Sequence, residues 1–458
     1  MTSTDPTIPF PCTEVPANPN AARLVGLYPQ IQEGRYMQRI RVPGGVLSAA
    51  QWRGLAALVR THTPTAPLHL TTRQDIELHD VTPERVGAVQ QGLAEAGLTS
   101  VGACGDTFRN ITVCPCAGTR AGGIELGPAA NVIAEMLRAT PGVYSLPRKF
   151  KIALACGSAC GQPWINDLGF VARRRDGQWG FEVIGAGSLG AKPATGIRLW
   201  EWIGPERVLP LVAAAIRVFA AHGDRENRRR ARFRHIRQRV GDERFGEMLT
   251  AAMDEAERQG PWAAVPIPTG EDLPARRDLA FADGDVQPAA AEALAGALDR
   301  GVSVRIANHH RVAVFASSPE ALDATLGGGA LPVAANAPAV VACPGKDYCK
   351  RAIVYTRSVA SELRDEVTGV GRADRTVCVS GCPNGCAHSR VADVGLVGRL
   401  VRRDGRRREG FDVYAGGGMG RTGALAELHQ RGVPADKIAP RVSELVARAA
   451  EEDNGAGS

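Results

Sequence analysis

Cys343 and Cys349, with five residues between them, and Cys382 and Cys386, with three, are the side chains of this chain best suited to do chemistry. The second pair lies in the run Gly381-Cys382-Pro383-Asn384-Gly385-Cys386. Zinc cysteine pairs usually have two to four residues between them, and the five-residue gap fits an iron–sulfur cage better. A cubane cluster needs four thiolates converging from two separate turns, which the neighbouring glycines and proline supply. The odd total of eleven cysteines favours metal or redox use over disulfides.

Lys149 and Lys151 form a second chemical group. The run Phe150-Lys151-Ile152-Ala153-Leu154 reads as a strand that puts both ammonium groups on one face. Two lysines turned towards a core are costly unless anions meet them.

These groups must be positioned by a chain that is written twice. Cys156-Gly157-Ser158-Ala159-Cys160, followed by Asp167 to Val171 and Gly180 to Val183, is matched by Cys382 to Cys386, Asp393 to Val397 and Gly410 to Val413. Each series ends in a glycine-rich turn, Gly185 to Gly190 and Gly416 to Gly420, suited to offering backbone N–H groups to carboxylates. No acidic ribose partner follows either turn at dinucleotide-site spacing. Upstream, Val42 to Gly97 predicts strand, helix, two strands and helix. Trp52, Leu55 and Leu58 recur at helical spacing, Leu68/Leu70 and Ile76/Leu78 alternate, and Thr82-Pro83-Glu84 caps a helix bearing Val86, Val89 and Leu93. The second copy, from about Asp278 to Gly327, has Val302, Val304 and Ile306, then Val312 and Val314, and repeats the cap as Ser318-Pro319-Glu320.

Thr71-Thr72-Arg73-Gln74, Arg109-Asn110, Leu146-Pro147-Arg148-Lys149-Phe150-Lys151 and the two cysteine pairs stand in series on this duplicated frame. The series resembles the sirohaem-containing sulfite and nitrite reductases from about Gly34 to Gly420. The resemblance implies an α+β fold, internally duplicated, with two ferredoxin-like half-modules and two sirohaem/4Fe-4S-type α+β domains. The expected boundaries are an arm at 1–35, half-modules at 36–105 and, with a linker, at 261–335, a first sirohaem-binding domain at 106–260 and the cluster-ligating domain at 336–458.

By the same resemblance Cys343, Cys349, Cys382 and Cys386 hold a 4Fe-4S cluster, and Cys386 also bridges it to sirohaem iron. Asn384, Gln74 and Asn110 are expected to contact the cofactor. Arg73, Arg109, Lys149 and Lys151 match the four distal basic residues, the arginine forks binding an oxyanion and the lysines delivering protons. Lys at position 151, where nitrite-reducing members commonly have Asn, points to six-electron reduction of sulfite to sulfide. Nitrite reduction to ammonia is the close alternative, and the oxygen-dependent precorrin-3B synthase of cobalamin biosynthesis shares the frame, although intact Lys149 and Lys151 argue against it. Where relatives often carry a second Gln, this chain has Glu77, which either weakens anion binding or pairs with Arg73.

Net charge +7 over 458 residues suits anionic substrates and an acidic ferredoxin donor, with a flavoprotein as the other option, and gives no reason to invoke nucleic acid. The lack of a long apolar run and the polar Met1 to Pro19 lead to the expectation of a soluble, cytoplasmic chain with no membrane contact. Asn227 to Arg239, with seven arginines in thirteen residues, reads as a solvated helix face. Pro261 to Pro274 reads as a linker, Glu451 to Ser458 as a disordered tail, and His309 and His310 as surface residues. A second cluster on Cys114, Cys116, Cys156 and Cys160 is weaker than buried structural cysteine, because one pair has a single intervening residue.

Overall fold

The computed structural model describes residues 8, 10–120, 122–157, 160–329, 331–370, 372–418 and 423–455. Two five-stranded sheets have the same topology. The first runs Thr112–Val113, Ile152–Ala155, Leu168–Arg175, Gln178–Gly185 and Ile197–Ile203; the second runs Ala339–Ala342, Thr376–Ser380, Val394–Arg403, Arg406–Ala415 and Glu427–Pro434. In each, two parallel pairings precede two antiparallel ones.

Register makes the duplication quantitative. Val113 faces Leu154, Leu154 faces Phe170 and Phe170 faces Val183, while Ala342 faces Val379, Val379 faces Leu396 and Leu396 faces Val413. Cys114 therefore stands where Cys343 stands, and Asp167 where Asp393 stands. Cys156 falls opposite Gly381, one residue ahead of the Cys382 position that letter-matching gave it. The same hydrogen bonds confirm the offset: Cys156 donates its N–H to Cys114 Sγ at 3.0 Å, and Gly381 donates its N–H to Cys343 Sγ at 3.2 Å.

The two ferredoxin-like halves share one apolar core. Helix Ala49–His62 begins at a capping box of Ser48 and Gln51 and buries Trp52, Leu55, Ala56 and Val59. Strand Leu68–Leu70 pairs with Ile76–Val81 of its own copy and with Asp285–Val286 of the other, so neither half closes its sheet alone. Ser318 caps helix Pro319–Leu326 through Ala321 N–H, as expected. Thr82 instead heads a short 3-10 turn and makes no side-chain cap bond.

Three expectations are corrected. Arg232 and Arg234 are buried and Phe233 and Ile236 lie in the core, so the arginine-rich segment is only partly a solvated face. His310 is 3% exposed, packed against His69 at the joint between half-modules. Residues 451–455 continue helix Ile438–Gly455; the last three residues of the expected disordered tail, and Met419 and Gly420 of the second glycine turn, lie outside the described residues. No helix among the described residues is long and apolar enough to cross a membrane.

Candidate functional site

The site is assembled where the Thr71 to Gln74 turn of the first half-module meets the two large sheets. Thr71 closes that turn by accepting the N–H groups of Arg73 (3.2 Å) and Asp75 (3.0 Å) on its hydroxyl. Gln74 adopts a left-handed φ of 62°, a conformation few residues other than glycine and asparagine accept cheaply. The turn presents Thr72 and Arg73 outwards. The Thr72 hydroxyl donates to the Cys386 carbonyl at 2.8 Å, tying the first half-module to the last cysteine of the chain.

Gln74 itself is fully buried. Its amide donates to the carbonyls of Val113 and Ile306, both at 2.8 Å, and accepts from Val113 N–H at 2.9 Å. Asn110 spends both amide donors on the carbonyls of Val42 and Arg73. A group rich in carboxylates needs donors, and neither side chain has one left. The structure thus gives Gln74 and Asn110 a bracing part in the fold. Asn384 is exposed beside the cysteines.

Phe150 fixes the lysines. Its backbone is bracketed by Thr107 and Arg109, with Phe150 N–H donating to Thr107 O at 3.0 Å and Arg109 N–H donating to Phe150 O at 2.8 Å. Its ring is fully buried against Phe219 and Phe233, which turns Lys149 and Lys151 to the opposite side. The strand proper starts at Ile152, so the lysines occupy its extended lead-in. Lys151 N–H donates to Asp167 Oδ2 at 2.9 Å, and the same oxygen accepts from Arg232 Nη2 at 2.7 Å.

Charge is unbalanced here. Burial, then the Arg232 and Arg109 guanidinium groups, pulls the half-buried Lys149 ammonium down to about 7, while Cys386 pushes it the other way. Burial, Arg73 and Lys149 hold Lys151 well below the usual lysine range. Burial and then Arg109 and Arg232 oppose the charge on Arg73, relieved only in part by Asp75 and Asp167. Asp75, buried among Arg39, Arg41, Arg73 and Arg109, is nonetheless pushed up to about 6 by desolvation. Glu77 pairs with Arg39 and His79, so the sequence alternative that it meets Arg73 is not realised.

Each arginine already has protein partners. Arg73 donates to Asn166 Oδ1 at 2.7 Å and to the Asn110 carbonyl, and Arg109 donates to the carbonyls of Ala103 and Gly105. The forks expected to hold an oxyanion are therefore partly spent on the fold, which leaves the buried Nε of each without a partner. Arg232 Nε and His388 Nδ1 are likewise buried and unpartnered. Burial, with Lys151, His309 and Arg73 adding to it, holds the His388 imidazole well below its usual range.

Cys343, Cys349, Cys382 and Cys386 are free thiols in mutual electrostatic reach. Cys343 follows the end of strand Ala339–Ala342 and Cys382 closely follows that of its parallel neighbour Thr376–Ser380. Both cofactors fit this constellation. The soft donor set suits iron–sulfur, and a surplus of cations with unpartnered N–H groups suits a polyanionic macrocycle. The sequence pointed to all of these residues except Arg232 and His388. Arg232 was visible only as one charge in an arginine run, and His388, two residues after Cys386, carried no spacing signal of its own.

The family model described as "Nitrite and sulphite reductase 4Fe-4S domain" matches residues 104–256 and 334–449, and that described as "Nitrite/Sulfite reductase ferredoxin-like half domain" matches residues 28–96. The chain is 28% identical to a ferredoxin–nitrite reductase of Leptolyngbya laminosa, over 91% of this chain and 87% of that protein. It is 30% identical to an assimilatory ferredoxin-dependent nitrite reductase of Haloferax mediterranei, over 91% of this chain and 79% of that one. The Mycobacterium tuberculosis NirA structure shares the fold with a TM-score of 0.80 at 23% identity, covering 92% of this chain and 85% of the other.

Proposed function

The chain belongs to the nitrite and sulphite reductase family, and from that premise we propose that it reduces nitrite to ammonia with electrons from ferredoxin. The reaction takes up six electrons and eight protons per nitrite and releases ammonium and two waters. The observation that carries the reading is the convergence of Arg73, Arg109, Lys149 and Lys151 beside Cys386, in a chain whose relatives are ferredoxin-dependent nitrite reductases.

When bound, the 4Fe-4S cluster and sirohaem would pass on the electrons that ferredoxin supplies and offer an iron centre for the anion. Cys343, Cys349, Cys382 and Cys386 would hold the cluster, with Cys386 shared. The chain's own part is electrostatic. Arg73 and Arg109, fixed by their protein bonds, turn their remaining N–H donors to the oxyanion without reorganising. Lys149, poised near neutrality, gains a proton when an anion arrives, because the added negative charge raises its pKa. It can then release that proton to an oxygen leaving as water. Lys151 is aligned through its backbone N–H by Asp167, which Arg232 holds in place.

Sulfite is the second reading, and the ammonium at position 151 favours it. Steady-state turnover of both anions with reduced ferredoxin decides between them. A larger kcat/KM for nitrite is expected; a larger kcat/KM for sulfite would reverse the assignment, and turnover of neither would remove it.

A further inference from the structure

Cys114, Cys116 and Cys156 bunch their sulfurs within 4.8 Å of one another, in the sheet opposite the four cysteines around Cys386. Sγ of Cys114 lies 3.0 Å from that of Cys156 and 3.9 Å from that of Cys116, and the Cys116 and Cys156 sulfurs are 3.3 Å apart. Cys160 lies within electrostatic reach of all three. We propose that Cys114, Cys116 and Cys156, with Cys160 as fourth donor, bind one thiophilic divalent cation of the zinc class.

The spacing argues for a single ion and against a second cluster. Four thiolates at about 2.3 Å from one zinc stand about 3.8 Å apart, the edge of a tetrahedron. The 3.9 Å separation already matches that edge, and the 3.3 and 3.0 Å separations reach it by opening about 0.5 and about 0.8 Å. In a cubane each thiolate projects outward from its own iron, so the four sulfurs stand much further apart. The two cysteine groups of this chain differ in this respect: among the described residues Cys114, Cys116 and Cys156 form such a close-set group, and the four around Cys386 do not. A disulfide is a poor account, since it would join two of three converging thiols, and all are free.

The duplicated frame explains how the site arises. Cys114 occupies the Cys343 position at the end of its strand, and Cys156 the Gly381 position at the end of the neighbouring parallel strand. The one-residue offset brings the second thiol directly against the first, where the other copy has only a glycine N–H. That N–H contact to sulfur is kept in both copies, and a thiolate bound to a metal benefits from it. Charge is met as well. A dication with four thiolates carries a net double negative charge, and Arg120 and Arg276 both act on Cys116. The ion would pin the Cys114 to Thr119 loop, to which Arg305 of the second half-module donates at the Ala117 carbonyl while its other nitrogen meets Glu125, beyond the loop, at 2.8 Å. Its role is structural, joining the first sheet to the half-module pair. Four thiols release their protons as the cation enters, with no change of oxidation state.

The test uses the full holoprotein, prepared anaerobically without a metal-binding tag. Elemental analysis should find one zinc per chain beyond the iron, released by a mercurial thiol reagent and captured by a colorimetric chelator. Cobalt(II) exchanged into the site should give thiolate-to-cobalt charge-transfer absorption in the near ultraviolet. Cys156→Ser and Cys116→Ser should lose at least tenfold in zinc affinity while the iron content stays at the wild-type value. Absence of zinc with no uptake of zinc or cobalt by the wild-type protein would overturn the proposal, as would iron and sulfide sufficient for a second cluster or a Cys114 to Cys156 disulfide in the anaerobic protein.

Discussion

The Thr72 hydroxyl donates a 2.8 Å hydrogen bond to the carbonyl of Cys386, across 314 residues of chain. The turn that presents Arg73 is thereby fixed to the loop that presents Cys386, and the guanidinium and the thiol keep one separation. Thr72→Val is expected to lower stability by about 1 kcal/mol, the net worth of one hydrogen bond, and to lower kcat at unchanged iron content. Thr72→Ser should restore both. Turnover and iron analysis of the three proteins check this; a wild-type kcat for Thr72→Val would show that the tie is not needed.

Lys149 makes stability depend on pH in the cofactor-free chain. Its folded pKa, about 7, lies below the ordinary lysine value of 10.5, so between those values the unfolded state binds more protons and stability rises with pH. Below pH 7 the ammonium is charged in both states, and the folded state bears the full cost. Lys149→Met should therefore raise Tm most near pH 6, and the gain should shrink as pH climbs from 7 to 10. A gain that stays the same across that range would contradict burial of the ammonium as its cause.

Much of this site is legible in the sequence because its signals are local. Alternation predicts the strands around Leu68 and Val312, and the run at Phe150 puts both lysines on one side. What is not legible depends on long-range pairing. Arg232 looks like one charge among seven, and only the fold shows that it neutralises Asp167, which is 0% exposed, from 65 residues away. Cys156 looks like Cys382 by letter, whereas the hydrogen bond to Cys114 places it one residue earlier. His310 reads as a turn residue because the surface that buries it belongs to the other half-module. Gln74 reads as a pocket residue because its motif is; its amide is spent on backbone before any ligand arrives.

Arg232→Ala removes the partner of a fully buried carboxylate. The expected loss is about 3 to 5 kcal/mol of stability, the usual consequence of stranding one half of a buried pair. Arg232→Ala combined with Asp167→Asn should recover a large part of it. Denaturant unfolding of the single and double variants checks the coupling, and additive losses would rule it out.

Lys151→Asn separates the two substrates. Sulfite turnover should fall more than nitrite turnover, because the ammonium that favours the dianion is removed while the nitrite site keeps a hydrogen-bond donor. Steady-state kcat/KM for both anions measures it. Equal losses would show that position 151 does not set the choice.

The central claim is that the anion is reduced in the pocket that Arg73, Arg109, Lys149 and Lys151 form beside Cys386. Its most direct test is ammonium production from nitrite by anaerobically prepared protein with reduced methyl viologen, wild type beside Cys386→Ser. One ammonium per nitrite from the wild type and none from Cys386→Ser is the predicted result; ammonium from Cys386→Ser at the wild-type rate would contradict it.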